Sequence, residues 1–164
     1  MAATTFHAPI VTGNYGFAEI HKLPDSNHHL LVSTKVFQEN EVISGFGAKE
    51  THSSPSRYTV QVNEQAHIIL QPEFLQYMNH SCNPNAFFNT TTMELLALKP
   101  IAPGDEFTFF YPSTEWVMAE PFLCSCGEAN CIGTIKGAKE LTKDVLQRYR
   151  LTDFIQHKLQ QINH

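Results

Sequence analysis

Asn79-His80-Ser81-Cys82-Asn83-Pro84-Asn85 and, further along, Cys124-Ser125-Cys126-Gly127-Glu128-Ala129-Asn130-Cys131 hold all four cysteines of the chain. One cysteine inside N-H-S-C and three in C-x-C-x4-C form a specific arrangement. Four thiolates can enclose one zinc ion tetrahedrally, and a closed site of that kind is structural rather than catalytic. A site built from Cys82, Cys124, Cys126 and Cys131 would pin the C-terminal segment against the middle of the chain, beside Asn79 and His80.

The remaining composition is that of an ordinary globular domain: 164 residues, 42% hydrophobic, 11% aromatic with twelve Phe, and 16% charged. That length predicts one domain with a proper core. A net charge of −5 argues against nucleic-acid binding, which needs a basic stripe, and is compatible with a basic substrate. The first ten residues lack a basic region followed by an apolar one, so no secretory signal is visible. No apolar run approaches the ~18 residues of a membrane span. An intracellular location, cytoplasmic or nuclear, is expected, and there clustered cysteines mean metal more often than disulfides.

Outward from the two cysteine stretches the chain reads as many short strands. Strands are expected around Phe17–Leu23, Leu30–Thr34 and Val42–Ser44. Lys49 to Arg57 reads as a polar loop. Tyr58–Val62 and His67–Leu70 read as a hairpin, as do Phe87–Asn89 and Glu94–Leu98. Pro72 to Met78 reads as a short helix with Pro in its first turn. Pro103-Gly104-Asp105 is a turn before a strand over Glu106–Phe110. Beyond Gly133, apolar residues recur at three- and four-residue steps (Ala138, Leu141, Val145, Tyr149; then Ile155, Leu159, Ile162), which is helical spacing. Strands followed by helices, without βαβ alternation, predict a mainly β fold with C-terminal helices, of the α+β class.

Three motifs in this order carry a family resemblance. Asn79 to Asn85 resembles the N-H-S-C-x-P-N motif of SET-domain methyltransferases. Gly104-Asp105-Glu106-Phe107-Thr108-Phe109-Phe110-Tyr111 resembles their G-E-E-L-T-F-D-Y motif, and Cys124 to Gly133 resembles their post-SET zinc segment. The resemblance implies small curved sheets in which the first two motifs thread together as a pseudoknot. It covers about residues 30–135, and the expected division is a SET-like core over residues 1–120, a zinc segment over 121–135 and, outside the resemblance, a helical extension over 136–164 read from its spacing.

It further implies an S-adenosylmethionine-dependent transfer of methyl groups to lysine side chains through a narrow channel. In-line displacement at a sulfonium methyl needs a deprotonated amine, close alignment and a polar but dry passage. Tyr111 matches the family's catalytic tyrosine, and Asn79 and His80 match cofactor contacts. On a strand, Phe109 shares a face with Phe107 and Tyr111, and Phe107 and Phe109 are expected in the channel. Phe at 109 resembles members able to add more than one methyl. Phe122 is expected to cover the cofactor, Trp116 either joins it or packs under the zinc loop, and Phe110 is expected to be core. The four cysteines match the zinc ligands.

The chain also departs from the family. Asn40 stands at a usual glycine, and His28-His29-Leu30 stands where G-x-G belongs. Glycine there allows the backbone to approach the cofactor closely. No Arg precedes N-H-S-C, Phe110 replaces a common Asp, and no cysteine-rich segment precedes the core. Two readings therefore stand side by side. One is a lysine methyltransferase with an altered cofactor loop. The other is a SET-like scaffold without methyl transfer, acting on a small molecule or as a binding module. Protein lysine and small molecule are both open as partners, and so is the oligomeric state.

Overall fold

The computed structural model describes residues 7–162. Strands β1 (Ile10–Asn14), β2 (Ala18–Lys22) and β3 (His29–Ser33) form an antiparallel sheet in that order. Ala18, Ile20 and Leu31 turn into the core, the alternation that a half-buried sheet requires. Next come β4 (Val42–Gly45), β5 (Gly47–His52), β6 (Thr59–Asn63) and β7 (Ala66–Gln71), then the short pieces β8 (Asn79–His80), β9 (Ala86–Asn89), β10 (Glu94–Ala97) and β11 (Thr108–Phe109). β5, β7 and β6 make a second sheet, with β7 in the middle, and β4, β10 and β9 a third. β12 (Phe122–Leu123) pairs with β13 (Thr134–Ile135), and the helices α1 (Lys143–Leu146) and α2 (Asp153–Ile162) close the chain. The fold is thus mainly β with C-terminal helices, as the sequence predicts.

β8 and β11 pair in parallel, Thr108 opposite Asn79 and Phe109 opposite His80. The stretch before β11 lies along β3: Ser33 N–H donates to the Asp105 carbonyl and Phe107 N–H to the Leu31 carbonyl, each at 2.8 Å. Two segments far apart in sequence therefore run side by side, which is the expected threading.

Several local expectations need correction. Lys49–His52 belongs to β5 and not to a loop: its side chains are exposed, and it is held by backbone pairing to β7, as in Thr51 opposite Ile68. Such an edge strand leaves no hydrophobic signature. β1 is likewise exposed, with Ile10 and Val11 about half solvent-accessible. Pro72–Met78 is a 3-10 turn over Glu73–Tyr77. The strand expected over Glu106–Phe110 shrinks to Thr108–Phe109, because the chain enters a 3-10 turn at Tyr111–Ser113. The helical spacing from Ala138 to Tyr149 resolves into a 3-10 turn and then α1, whose start is capped by the Thr142 hydroxyl accepting from the Val145 N–H. Asn40 adopts φ 68°, a left-handed conformation that Asn tolerates better than most residues, so it serves in place of the missing glycine.

Two apolar clusters stabilise the molecule. The larger lies among the sheets and includes Leu31, Leu70, Phe88, Leu95 and Phe107. The second joins Phe110 and Trp116 to Ala138, Leu146 and Ile155, so the C-terminal extension shares a core with the motif it follows. Phe110 stacks on Tyr149 with centroids 3.6 Å apart and planes within 4°, which fits its expected role as packing. Gly137 permits the close passage of this extension, since a Cβ there would lie 2.3 Å from the Trp116 carbonyl oxygen. Phe110→Ala should cost about 3–5 kcal/mol, the usual range for a buried Phe, measured as a shift in chemical-denaturation free energy. A loss below about 1 kcal/mol would mean that the C-terminal extension adds little to the core.

Candidate active site

The paired segments place three predicted residues together. Asn79 Nδ2 donates to the His29 carbonyl and to Glu106 Oε1, both at 2.8 Å, joining β8 to the edge of β3 and to the segment before β11. His80 Nδ1 accepts the Tyr111 N–H at 3.1 Å. The ring proton of neutral His80 therefore sits on Nε2, which lies 3.4 Å from Cys82 Sγ. Burial lowers the His80 pKa to about 4, so the ring is neutral at physiological pH. The Tyr111 hydroxyl donates to the Met78 carbonyl at 3.0 Å, which leaves its oxygen lone pairs as acceptors. Burial raises the Tyr111 pKa to about 12, so this phenol stays protonated.

These groups face a cavity of about 630 Å³, within the usual size of small-molecule sites. Phe109, Tyr111 and Phe122 form an aromatic wall, with the Tyr111 ring 4.7 Å from Phe109 and 5.9 Å from Phe122. His28 and His29 line the cavity at the place where glycines were expected, and the His29 ring lies 5.0 Å from Tyr77. Opposite elements contribute Arg57, Tyr58 and Thr59 ahead of and within β6, together with Glu115 and the 118–121 stretch. Glu115 is buried, its Oε1 accepting from the Gln61 N–H at 2.9 Å and the Thr114 hydroxyl at 3.0 Å. Burial raises its pKa to about 7.

The cysteines converge from two parts of the chain. Their four Sγ atoms lie within 4.8 Å of one another, and Cys82 Sγ is 4.0 Å from Cys124 Sγ. A tetrahedral Zn–S₄ site with bonds of about 2.3 Å has S–S edges of about 3.8 Å, so the four thiols fit a zinc ion. Burial raises the Cys82 pKa and the Cys124 thiol adds to this; a dication offsets both effects. The backbone holds the cluster as well. The Cys82 carbonyl accepts from Asn130 Nδ2 at 2.7 Å and from the Tyr149 hydroxyl at 2.8 Å.

A family model of the SET domain matches residues 19–112. The chain belongs to the SET domain family. It is 42% identical over 113 residues to "Methyltransferase flvH" of Aspergillus flavus, a match covering 68% of this chain and 60% of that protein. A histone-lysine N-methyltransferase, H3 lysine-36 specific, of Chaetomium globosum is 37% identical over 68 residues, or 38% of this chain and 8% of that protein. The chain thus spans less than two thirds of the length of these relatives. Among solved structures, KRYPTONITE in complex with mCHG DNA and SAH superposes with a TM-score of 0.53 at 18% identity, covering 74% of this chain and 30% of that one. The fold is that of SET domains.

Within this SET domain, Asn79, His80, Phe109, Tyr111 and Phe122 all line one cavity. Phe107 does not. It is fully buried among Phe17 and Phe37 and is absent from the cavity wall, because the two-residue β11 ends before Tyr111 and the alternation that would align 107 with 111 is broken. Trp116 also lies elsewhere, in the second core, with Lys158 Nζ 5.4 Å from its ring centre. Sequence reasoning missed Arg57, Tyr77 and Glu115. No motif marks them, and Glu115 gains its meaning only from Gln61, 54 residues away.

Protein purified without added metal should retain about one zinc per chain by elemental analysis, as a closed thiolate site requires; metal-free folded protein would refute this. His80→Ala should weaken zinc retention about 10–100-fold, the usual effect of losing a group that orients a ligand, in competition with a chromogenic chelator. Glu115 predicts a pH effect of definite sign. Between its ordinary 4.5 and its raised value of about 7, the unfolded chain has released this proton and the folded chain has not, so wild-type stability falls as pH rises. Glu115→Gln should remove that part of the decline in denaturant midpoints between pH 5 and 8.

Proposed function

We propose that the chain is an S-adenosylmethionine-dependent methyltransferase that methylates a lysine-type amine. The observation that carries this reading is the Tyr111 hydroxyl, anchored to the Met78 carbonyl on the wall of a cavity lined by Asn79, His80, Phe109 and Phe122. The family membership and the methyltransferase named among the relatives support it. In this reading residues 1–120 form the catalytic core, 121–135 the zinc segment and 136–164 a helical extension that holds the segment in place. The protein acts inside the cell, in the cytoplasm or nucleus, where four thiols hold metal rather than pairing as disulfides.

Asn79, His80 and Phe122, with His28 and His29, would hold the cofactor, which supplies an electrophilic methyl on a sulfonium when bound. Tyr111 performs two tasks there. Its oxygen lone pairs accept from the amine and turn the nitrogen lone pair along the transfer axis, and because burial keeps the phenol protonated it orients rather than deprotonates. Phe109 and Phe122 keep water from the reacting atoms, which strengthens every polar contact inside. Phe109 has no hydroxyl to hold a water in the channel, so room remains for an amine that already carries a methyl.

A second reading keeps the pocket and changes the acceptor. His28 and His29 line the wall where glycines were expected, and the resemblance to histone enzymes covers 38 to 48% of the chain. A free small amine is then the substrate in place of a protein lysine. Calorimetric titration with S-adenosylmethionine should show binding; no heat at high concentration would refute the methyltransferase reading. Tyr111→Phe should lower kcat about 10²–10³-fold, the usual loss when one polar contact to the transition state is removed, with cofactor affinity kept. Unchanged turnover would remove Tyr111 from the mechanism.

A further inference from the structure

We propose that Glu115 is the anionic subsite that receives the ammonium group of the substrate, so that this pocket selects cationic amines by charge as well as by shape. The proposal rests on the methyltransferase reading for the identity of the cavity. It concerns a residue outside the three family motifs.

The geometry points this way. Glu115 is 8% exposed, a burial that carboxylates rarely adopt without a charged partner. No Lys, Arg or His pairs with it among the described residues. Its Oε1 is engaged by the Gln61 N–H and the Thr114 hydroxyl, whereas Oε2 has no partner among the described residues. The side chain belongs to the wall of the same cavity as Tyr111 and Phe109. A buried carboxylate with one free oxygen on a cavity wall lacks the cation that would offset its desolvation. An alkylammonium brings that cation and three donors.

The surrounding charges suit such a role. The titratable and charged groups on the cavity wall, besides the thiols, are Arg57, Glu106, Glu120, the histidines 28, 29 and 80, and the tyrosines 58, 77 and 111. Glu106 is already bonded to Asn79, and the Arg57 guanidinium carbon lies 5.9 Å from the Tyr58 ring centre. From β7, His67 stands opposite Gln61 in register, and burial lowers its pKa, disfavouring the charged ring. From α2, Lys158 pairs with Glu64 at 2.9 Å. Glu115 itself titrates near 7, so it holds its proton in the empty pocket at mildly acidic pH and releases it when a cation arrives.

The test uses n-butylammonium, the side-chain end of lysine, in NMR-detected titrations of the full chain saturated with S-adenosylhomocysteine. Wild type should bind about tenfold more tightly at pH 8 than at pH 6, the ratio of ionised fractions for a group titrating near 7. Glu115→Gln keeps an oxygen for Gln61 and Thr114, and should bind at least about tenfold more weakly at pH 8, with no pH dependence. Equal affinity and equal pH dependence in the variant would overturn the proposal, as would no binding of n-butylammonium to wild type at either pH. Should the variant fail to fold, wild type alone decides: n-butanol, equal in shape and uncharged, should bind at least about tenfold more weakly than n-butylammonium at pH 8, and equal affinity would overturn the proposal. A separate titration with S-adenosylhomocysteine alone distinguishes the two failures. Its absence of binding would sink the methyltransferase reading, and the amine titrations, repeated without it, would still decide on Glu115.

Discussion

The side chain of Asn85 bonds to the passing chain through both of its polar ends. Its Nδ2 donates to the Glu106 carbonyl and its Oδ1 accepts the Thr108 N–H, at 2.8 and 2.9 Å. Those two bonds, with the parallel pairing of Asn79 and Thr108, fix the height at which two distant segments pass. Everything in the site inherits that register. His80 reaches the Tyr111 backbone on one side and the thiol cluster on the other. Tyr111 then emerges from the end of β11 onto the cavity wall, and Cys82 faces the loop that carries the other three thiols. A one-residue slip of β8 against β11 would exchange the faces of every side chain involved, separating the Tyr111 support from the thiol cluster.

Polar groups dominate that crossing, and they are satisfied locally. Asn79 and His80 each bond to backbone and to a side chain, and Asn85 bonds to backbone through both of its polar ends. Buried networks of this kind rigidify a structure when complete and are costly when broken. The arrangement separates two kinds of group around the cavity. Asn79 and His80 have their hydrogen bonds made internally, so they supply shape and position. Tyr111 and Glu115 retain unspent acceptor capacity and line the cavity, so in the proposed reading they are the groups left to meet a ligand.

Much of this was readable from residues that act through short-range spacing. C-x-C-x4-C with one further cysteine implies a cluster whatever the intervening chain does, because metal geometry leaves few alternatives. Asn79, His80 and Tyr111 were readable through their motifs. The reading failed where a side chain's role depended on backbone that the residue types do not dictate. Phe107 was misplaced by assuming that strand alternation continues to Tyr111. The polar stretch before His52 concealed a strand held by main-chain bonds to β7. Glu115, in the run Ser113-Thr114-Glu115-Trp116, shows no periodicity, and its burial arises from the Gln61 strand across the fold. Asn40 shows the opposite case, where a departure from the family's glycine still adopts a left-handed backbone that glycine would favour.

The hydrogen bond from the Tyr149 hydroxyl to the Cys82 carbonyl spans 67 residues, and it has a consequence in time. A chain is made from its N-terminus onward, so the sheets, the crossing and the first cysteine leave the ribosome before the groups that complete the clasp. Phe122 and the remaining thiols come next, and Tyr149, which also seals Phe110, comes later still. Until these have emerged, the cavity wall lacks Phe122 and the cysteine loop, and Phe110 lacks the ring it stacks on. The pocket is therefore finished by the last third of the chain.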